Sequence, residues 1–171
     1  KNAQTIVKKA AKAKRTYMVA QNYRCQPATQ TAKAIVQQGK IGPVGYISIS
    51  FHKGPRFGGF REKMAYPLIL DMSIHHIDMI RCITHADIAS VTATSINAPW
   101  NWNKGDATVM AQVALNNGCV VDYMGSWVAQ GAETPWNGDW RFAGSLGTLL
   151  WTDDALRIAY PDGTSKQVAQ A

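Results

Sequence analysis

A chain of 171 residues and 18.7 kDa, 46% hydrophobic and 17% charged, suffices for one ordinary domain and reads as a soluble globular protein. No run approaches the roughly 18 to 20 consecutive apolar residues of a membrane-spanning helix, and residues 1–15 lack the apolar block of a signal peptide, which argues against membrane and secreted classes. The net charge of +7 is lopsided, because residues 1–40 hold nine Lys and Arg and no acid whereas residues 41–171 hold nine basic and eleven acidic residues; with Tyr17 the only aromatic near the first lysines, the pattern does not encode a nucleic-acid reader.

Residues 3–14 are expected to form a helix, with Ala3, Ile6, Val7, Ala10 and Ala11 on one face and the lysines largely on the other. That face asks for a partner, and none precedes it. Residues 16–20 read as a short apolar strand. The loop NYRCQP follows, and Pro27 opens a helix that runs to Gln38 and stops at Gly39. Between Val44 and His52, Ile47, Ile49 and Phe51 alternate with Tyr46, Ser48 and Ser50, the pattern of a half-buried strand. The stretch from Lys53 to Pro67, rich in Gly, Arg and aromatics, is too long for a mere connector and is expected to be functional or mobile. Neither GxGxxG nor GxxxxGK[ST] occurs in the chain, so no dinucleotide or P-loop phosphate site is encoded.

Residues 73–84 should form a helix with Ser73 as its N-cap and Ile74, Ile77 and Ile80 at apolar spacing. Beyond Ala86 strands are expected at 88–96, 106–115, 119–127, 140–143, 147–151 and 156–160, with turns at Asn116-Asn117-Gly118 and Pro161-Asp162-Gly163. The fold class is therefore α+β, a largely antiparallel open sheet with helices on one face. Trp100, Trp102, Trp127, Trp136, Trp140 and Trp151 should pack against helices or a partner sheet, sugar stacking being the sharper reading. Cys25, Cys82 and Cys119, without pairing or zinc spacing, read as buried thiols of a reducing cytoplasm.

Asp71, His75 and Asp78 fall at i, i+4 and i+7, the spacing of one helix face. Histidine ordinarily titrates at about 6.5 and can accept a proton from an alcohol at neutral pH, a nearby carboxylate fixing its tautomer. An exposed Asp-His pair on a solvated helix has the same spacing. His75 and His76 point about 100° apart and do not share a metal, so no metal site is expected. Arg24 and Arg56 lie in loops, where a guanidinium can hold a substrate anion.

The succession YMVAQNYRCQPA, GPVGYISIS, PLILDMSIHHIDMIRCI and RFAGSLGTLLW resembles the C-terminal part of the Gfo/Idh/MocA family, NAD(P)-dependent oxidoreductases of the glucose-fructose oxidoreductase and inositol dehydrogenase type. The resemblance covers nearly the whole chain. The family signature DxGxHxxD is present as Asp71, Ser73, His75 and Asp78, with Ser73 in place of the glycine; Tyr23, Arg24 and Pro27 fit as well, as do Gly144, Gly147 and Leu149. This likeness implies a two-domain enzyme whose N-terminal Rossmann half holds NAD or NADP and whose Glu-Lys-Pro motif supplies a catalytic lysine, neither motif being present here. Residues 1–21 would then be a remnant of the Rossmann domain and residues 22–171 the substrate-binding and oligomerisation domain.

By the same resemblance His75 is the acid/base on a substrate hydroxyl and Asp71 orients substrate or imidazole. Arg24, Arg56, His76 and Asp78 would line the substrate pocket, and only Asn22 and Tyr23 would approach the cofactor. The implied substrate is a sugar, inositol or related polyol. The protein is expected in the cytoplasm as a homo-oligomer joined through its sheet face, the chain alone holding no cofactor and being inactive. The competing expectation is a sheet domain without redox role that dimerises or binds carbohydrate.

Overall fold

A computed structural model describes residues 2–170. Eight strands form one sheet: β1 (Val44–His52), β2 (Ile88–Ile96), β3 (Thr108–Leu115), β4 (Val120–Ser126), β5 (Asp139–Gly144), β6 (Thr148–Thr152), β7 (Ala155–Ala159) and β8 (Ser165–Val168), in the order β2-β3-β4-β1-β5-β6-β7-β8. The first strand in sequence is thus central. Its partner β4 runs parallel to it, with Ile47 beside Val121 and Ile49 beside Tyr123, and every other pairing is antiparallel. The expected α+β class with a largely antiparallel sheet holds.

Alternation sorts the two faces. Ile47, Ile49 and Phe51 of β1, Val121 and Tyr123 of β4, Trp140 and Phe142 of β5, and Leu149 and Trp151 of β6 are buried on one side. Against them pack α2 (Pro27–Gln37), through Ala28, Ala32 and Ile35, and α3 (Ile74–Thr84), through Met79, Ile80 and Ile83. A smaller cluster continues this core around Phe51, Leu68, Met72, Val109 and Trp127. The other face carries Tyr46, Ser48 and Ser50 of β1, Asp122 and Met124 of β4, and Arg141 of β5, none of them buried. Trp140 and Trp151 stack on each other inside the helix-side core, 6.1 Å between centroids, so they do not lie on the open face.

Several expectations need correction. Residues 16–20 belong to no strand; an extended segment needs a hydrogen-bonding neighbour, and Tyr17, Met18 and Val19 stand exposed. Helix α1 (Asn2–Lys12) buries none of its residues, so its Ile6 and Val7 face is uncovered. The apolar spacing of Ile74 and Ile77 does not mark the buried face of α3, since both are about two-fifths exposed while His76 between them is fully buried. Of the three thiols Cys119 is buried, Cys82 half-buried and Cys25 exposed. Strand β8 was not expected: Ser165, Lys166 and Gln167 are exposed and polar, as a short edge strand tolerates. No helix among the described residues is long and apolar enough to cross a membrane.

Candidate active site

The segment that carries Asp71, His75 and Asp78 does not begin at Ser73. Pro67 and Leu68 are already helical, and Ile69–Ser73 is a π-helical turn that feeds directly into α3. Pro67 suits a first helical turn because it has no N–H to leave unpaired. The wider i→i+5 turn changes the angular register on either side, so Asp71 does not stand under His75 as in an unbroken α-helix. Ser73 is accordingly no N-cap: it has helical angles, φ −61° and ψ −23°, and its side chain makes no capping bond. It is buried, with its Oγ 2.9 Å from the Tyr123 hydroxyl on β4.

The same hydroxyl lies 3.0 Å from Nδ1 of His76. His76 is fully buried among Phe51, Tyr123 and Trp140, with ring centroids 4.8, 5.6 and 6.1 Å away. It therefore cannot line a substrate pocket, which corrects that expectation. Burial depresses its pKa from 6.5 to about 3, His75 adding to the effect and the backbone of Trp136 opposing it, although Nε2 makes no hydrogen bond of ordinary geometry. Burial likewise raises the pKa of Tyr123. The joint of Ser73, His76 and Tyr123 is thus neutral, and it ties the helical segment to the sheet.

His75 points elsewhere. Its ring stacks on Tyr23 at 4.7 Å between centroids and 17° between planes, and its Nδ1 is buried without a partner. Tyr23 and Arg24 belong to the 3₁₀ helix Asn22–Cys25, in which Asn22 is exposed. Arg24 grips Asp78 with two nitrogens, Nε at 2.8 Å from Oδ2 and Nη2 bonded to Oδ1; this hydrogen bonding raises the pKa of Arg24. Asp71 accepts from Nε of Arg61 at 2.9 Å, and neither carboxylate bonds the imidazole. Asp71 was expected to orient substrate or imidazole; in this structure its hydrogen bond goes to Arg61 and not to the imidazole.

The long segment after β1 builds a cation and aromatic wall. Lys53 lies 5.2 Å from the centroid of Trp136, Trp136 stacks on Phe57 at 6.5 Å, and Arg61 lies over Phe57 and Phe60 at 5.3 and 4.9 Å. Glu133 accepts from Nζ of Lys53 at 3.0 Å and from the Gly54 N–H, which together lower its pKa. Arg56 sits 4.2 Å above Trp102. The sequence singled out Arg56, and Trp136 among the tryptophans, and missed Arg61, Glu133 and Tyr123. Nothing in a loop's composition tells an arginine that meets a carboxylate from one that meets a ring. Two surface cavities, of about 510 and 530 Å³, lie between α2 and α3 beside Lys33 and Arg81, and on the open face beside His52 and Trp100; His75 lines neither.

A dinucleotide's pyrophosphate is held by free backbone N–H groups at a helix N-terminus. Pro27 removes one such N–H from the first turn of α2, and α3 continues from the π-turn without a free N-terminus of its own. No group of three His, Cys, Asp or Glu side chains suited to a metal gathers among the described residues.

An eight-stranded open sheet backed on one face by two helices, with Asp71, His75 and Asp78 on the segment that leads into α3, is an α+β domain whose family comparison identifies. The family model of the GFO/IDH/MocA C-terminal domain matches residues 29–150, and the chain belongs to that family. It is similar to an oxidoreductase from Agrobacterium radiobacter solved with NAD+, L-tartaric acid and magnesium, with a TM-score of 0.84 at 24% identity over 99% of this chain and 51% of that one. An inositol dehydrogenase homolog from Azotobacter vinelandii, solved with NADH and myo-inositol, gives 0.81 at 15% identity over 97% and 45%. The uncharacterized protein y4oX of Sinorhizobium fredii is 27% identical over 141 residues, 80% of this chain and 38% of its own. The chain thus spans about half or less of each of these relatives.

The buried imidazole predicts an acid response. Unfolded, His76 takes up a proton as pH falls below about 6.5; folded, it does so only near 3. Its contribution to stability is therefore complete above pH 6.5 and is lost between these values, by up to about 1.4 kcal/mol per pH unit. Denaturant melts from pH 7 to 4 should show this loss, and His76→Phe should flatten it. An acid limb unchanged in the variant would contradict the assignment.

Proposed function

We propose that this chain is the substrate side of an NAD(P)-dependent oxidoreductase acting on a sugar, inositol or related polyol, with His75 as the group that takes the hydroxyl proton. The observation that carries the reading is the orientation of His75. Its Nδ1 is turned into the protein, and among the described residues no side chain hydrogen-bonds the ring, which leaves Nε2 for a substrate hydroxyl. The family signature around it and the cofactor-bound neighbours support the same reading.

In this scheme NAD or NADP would supply the hydride acceptor, and the present chain handles the proton. Nε2 of His75 accepts it as the carbonyl forms, and returns it in the reverse direction. Arg24 and Arg61 keep the two neighbouring carboxylates engaged, so Asp71 and Asp78 do not compete for that proton. Phe57 and Trp136, both exposed and packed against the buried Trp127, offer the C–H faces of a sugar or polyol a stacking surface, and Arg56, next to Phe57 in the chain, lies over Trp102. Residues 1–21 then belong to the cofactor half, which accounts for a helix face that nothing covers here.

Self-association through the open sheet face completes the proposal. It rests on the exposed Tyr46, Met110 and Val120, each about two-fifths exposed, rather than on tryptophan. Sedimentation at tens of micromolar should show a dimer or larger species, and monomer alone would count against it.

The chemical test uses the full polypeptide that contains these residues. His75→Asn should lower kcat by about 10²- to 10⁴-fold with the KM for cofactor nearly unchanged. Retention of most of the activity by His75→Asn would exclude His75 as the base.

A further inference from the structure

We propose that Tyr23 is a positioning residue that holds the His75 imidazole by face-to-face stacking, the orienting task for which the family resemblance suggested Asp71. The inference rests on His75 being the proton acceptor, and it concerns how that ring is aimed.

The contact is close and nearly parallel, 4.7 Å between centroids and 17° between planes. Charged groups on the elements packed against this part of α3 are engaged elsewhere. Asp71 of the π-turn is paired with Arg61, Asp78 of α3 with Arg24 of the 3₁₀ helix, and Arg81 with Asp87. Lys33 of α2 borders the cavity shared with Arg81 and His85, at the other end of α3, and His76 is neutral in the core. What touches the His75 ring is therefore a phenol, uncharged at neutral pH, whose pKa burial raises further.

Tyr23 is itself held on two sides. Its ring packs against both core clusters, and its chain neighbour Arg24 is clamped to Asp78, one turn beyond His75 on the same helix. A single ion pair thus registers the 3₁₀ helix against α3 and sets the phenol over the imidazole. Stacking removes the rotation of the imidazole about its own side-chain bonds without placing a charge beside it. The Tyr23 hydroxyl makes no hydrogen bond to His75, so the ring face alone carries the effect. A reacting group displaced by about 1 Å loses on the order of 10² in rate, which is the scale of what the stack protects.

Two variants and two readouts test this. Tyr23→Leu keeps an apolar side chain for the core and removes the ring, and Tyr23→Phe keeps the ring and removes the hydroxyl. In carbon-resolved NMR of the 171-residue chain, the His75 ring protons should lose their upfield ring-current displacement in Tyr23→Leu and keep it in Tyr23→Phe. In the full polypeptide, Tyr23→Leu should lower kcat by about 10- to 100-fold with little change in the KM for cofactor, and Tyr23→Phe should stay within about twofold. His75 ring signals that do not move in Tyr23→Leu would overturn the proposal, and so would a Tyr23→Phe variant as impaired as Tyr23→Leu. If His75→Asn is active while the ring signals respond as stated, the acid–base reading is what fails, and the stacking of His75 by Tyr23 stands.

Discussion

A histidine without water, His76, fixes the rotation of α3 about its own axis. Its imidazole fills a slot between Phe51, Tyr123 and Trp140, and its Nδ1 meets a hydroxyl that also meets Ser73. Turning the helix to expose His76 would break both hydrogen-bonded contacts of Tyr123 and leave that hydroxyl unpaired in the core, at a cost of about 1–3 kcal/mol. Successive helical residues point about 100° apart, so burying His76 necessarily delivers His75 to the edge of the sheet-facing side. The position of the candidate base thus follows from the neighbour that performs no chemistry.

Two ion pairs then dress this helix. Exposed pairs of this kind contribute roughly 0–1 kcal/mol each, so their importance is geometric. Arg24 brings the 3₁₀ helix and its Tyr23 onto α3, and Arg61 brings the segment after β1 onto the π-turn while its guanidinium also covers Phe57 and Phe60. Remote parts of the chain, Lys53 with Glu133 and Phe57 with Trp136, meet in the same wall. The stacked pair of His75 and Tyr23 and the face of Phe57 and Trp136 are the two features on which the proposed function draws.

Much of the architecture was legible in local pattern. The alternation across β1 predicted which residues enter the core, and Asn116-Asn117-Gly118 and Pro161-Asp162-Gly163 predicted two turns, in which Gly118 and Gly163 take φ of 87° and 84°. Failures came where partners distant in sequence decide. The segment 16–20 has strand composition without a strand to join, and β8 has a partner without strand composition. Ile74 and Ile77 fit a helical stripe, yet the buried face of α3 is set by Tyr123, forty-seven residues from His76, which accepts an imidazole where periodicity asks for an aliphatic. The site shows the same division. The signature singled out His75, Asp71 and Asp78, but a π-turn is invisible in spacing, and with it the pairing of Asp71 with Arg61 in place of His75.

The central claim, that a neutral buried His76 sets the presentation of His75, is tested most directly by the nitrogen-15 shifts of the His76 ring in the folded chain across pH 8 to 5. The account predicts that His76 keeps the shifts of a single neutral tautomer throughout, consistent with a pKa of about 3. Protonation of His76 in the native state near pH 6.5 would place that ring in water, and the orientation of α3 described here would be wrong.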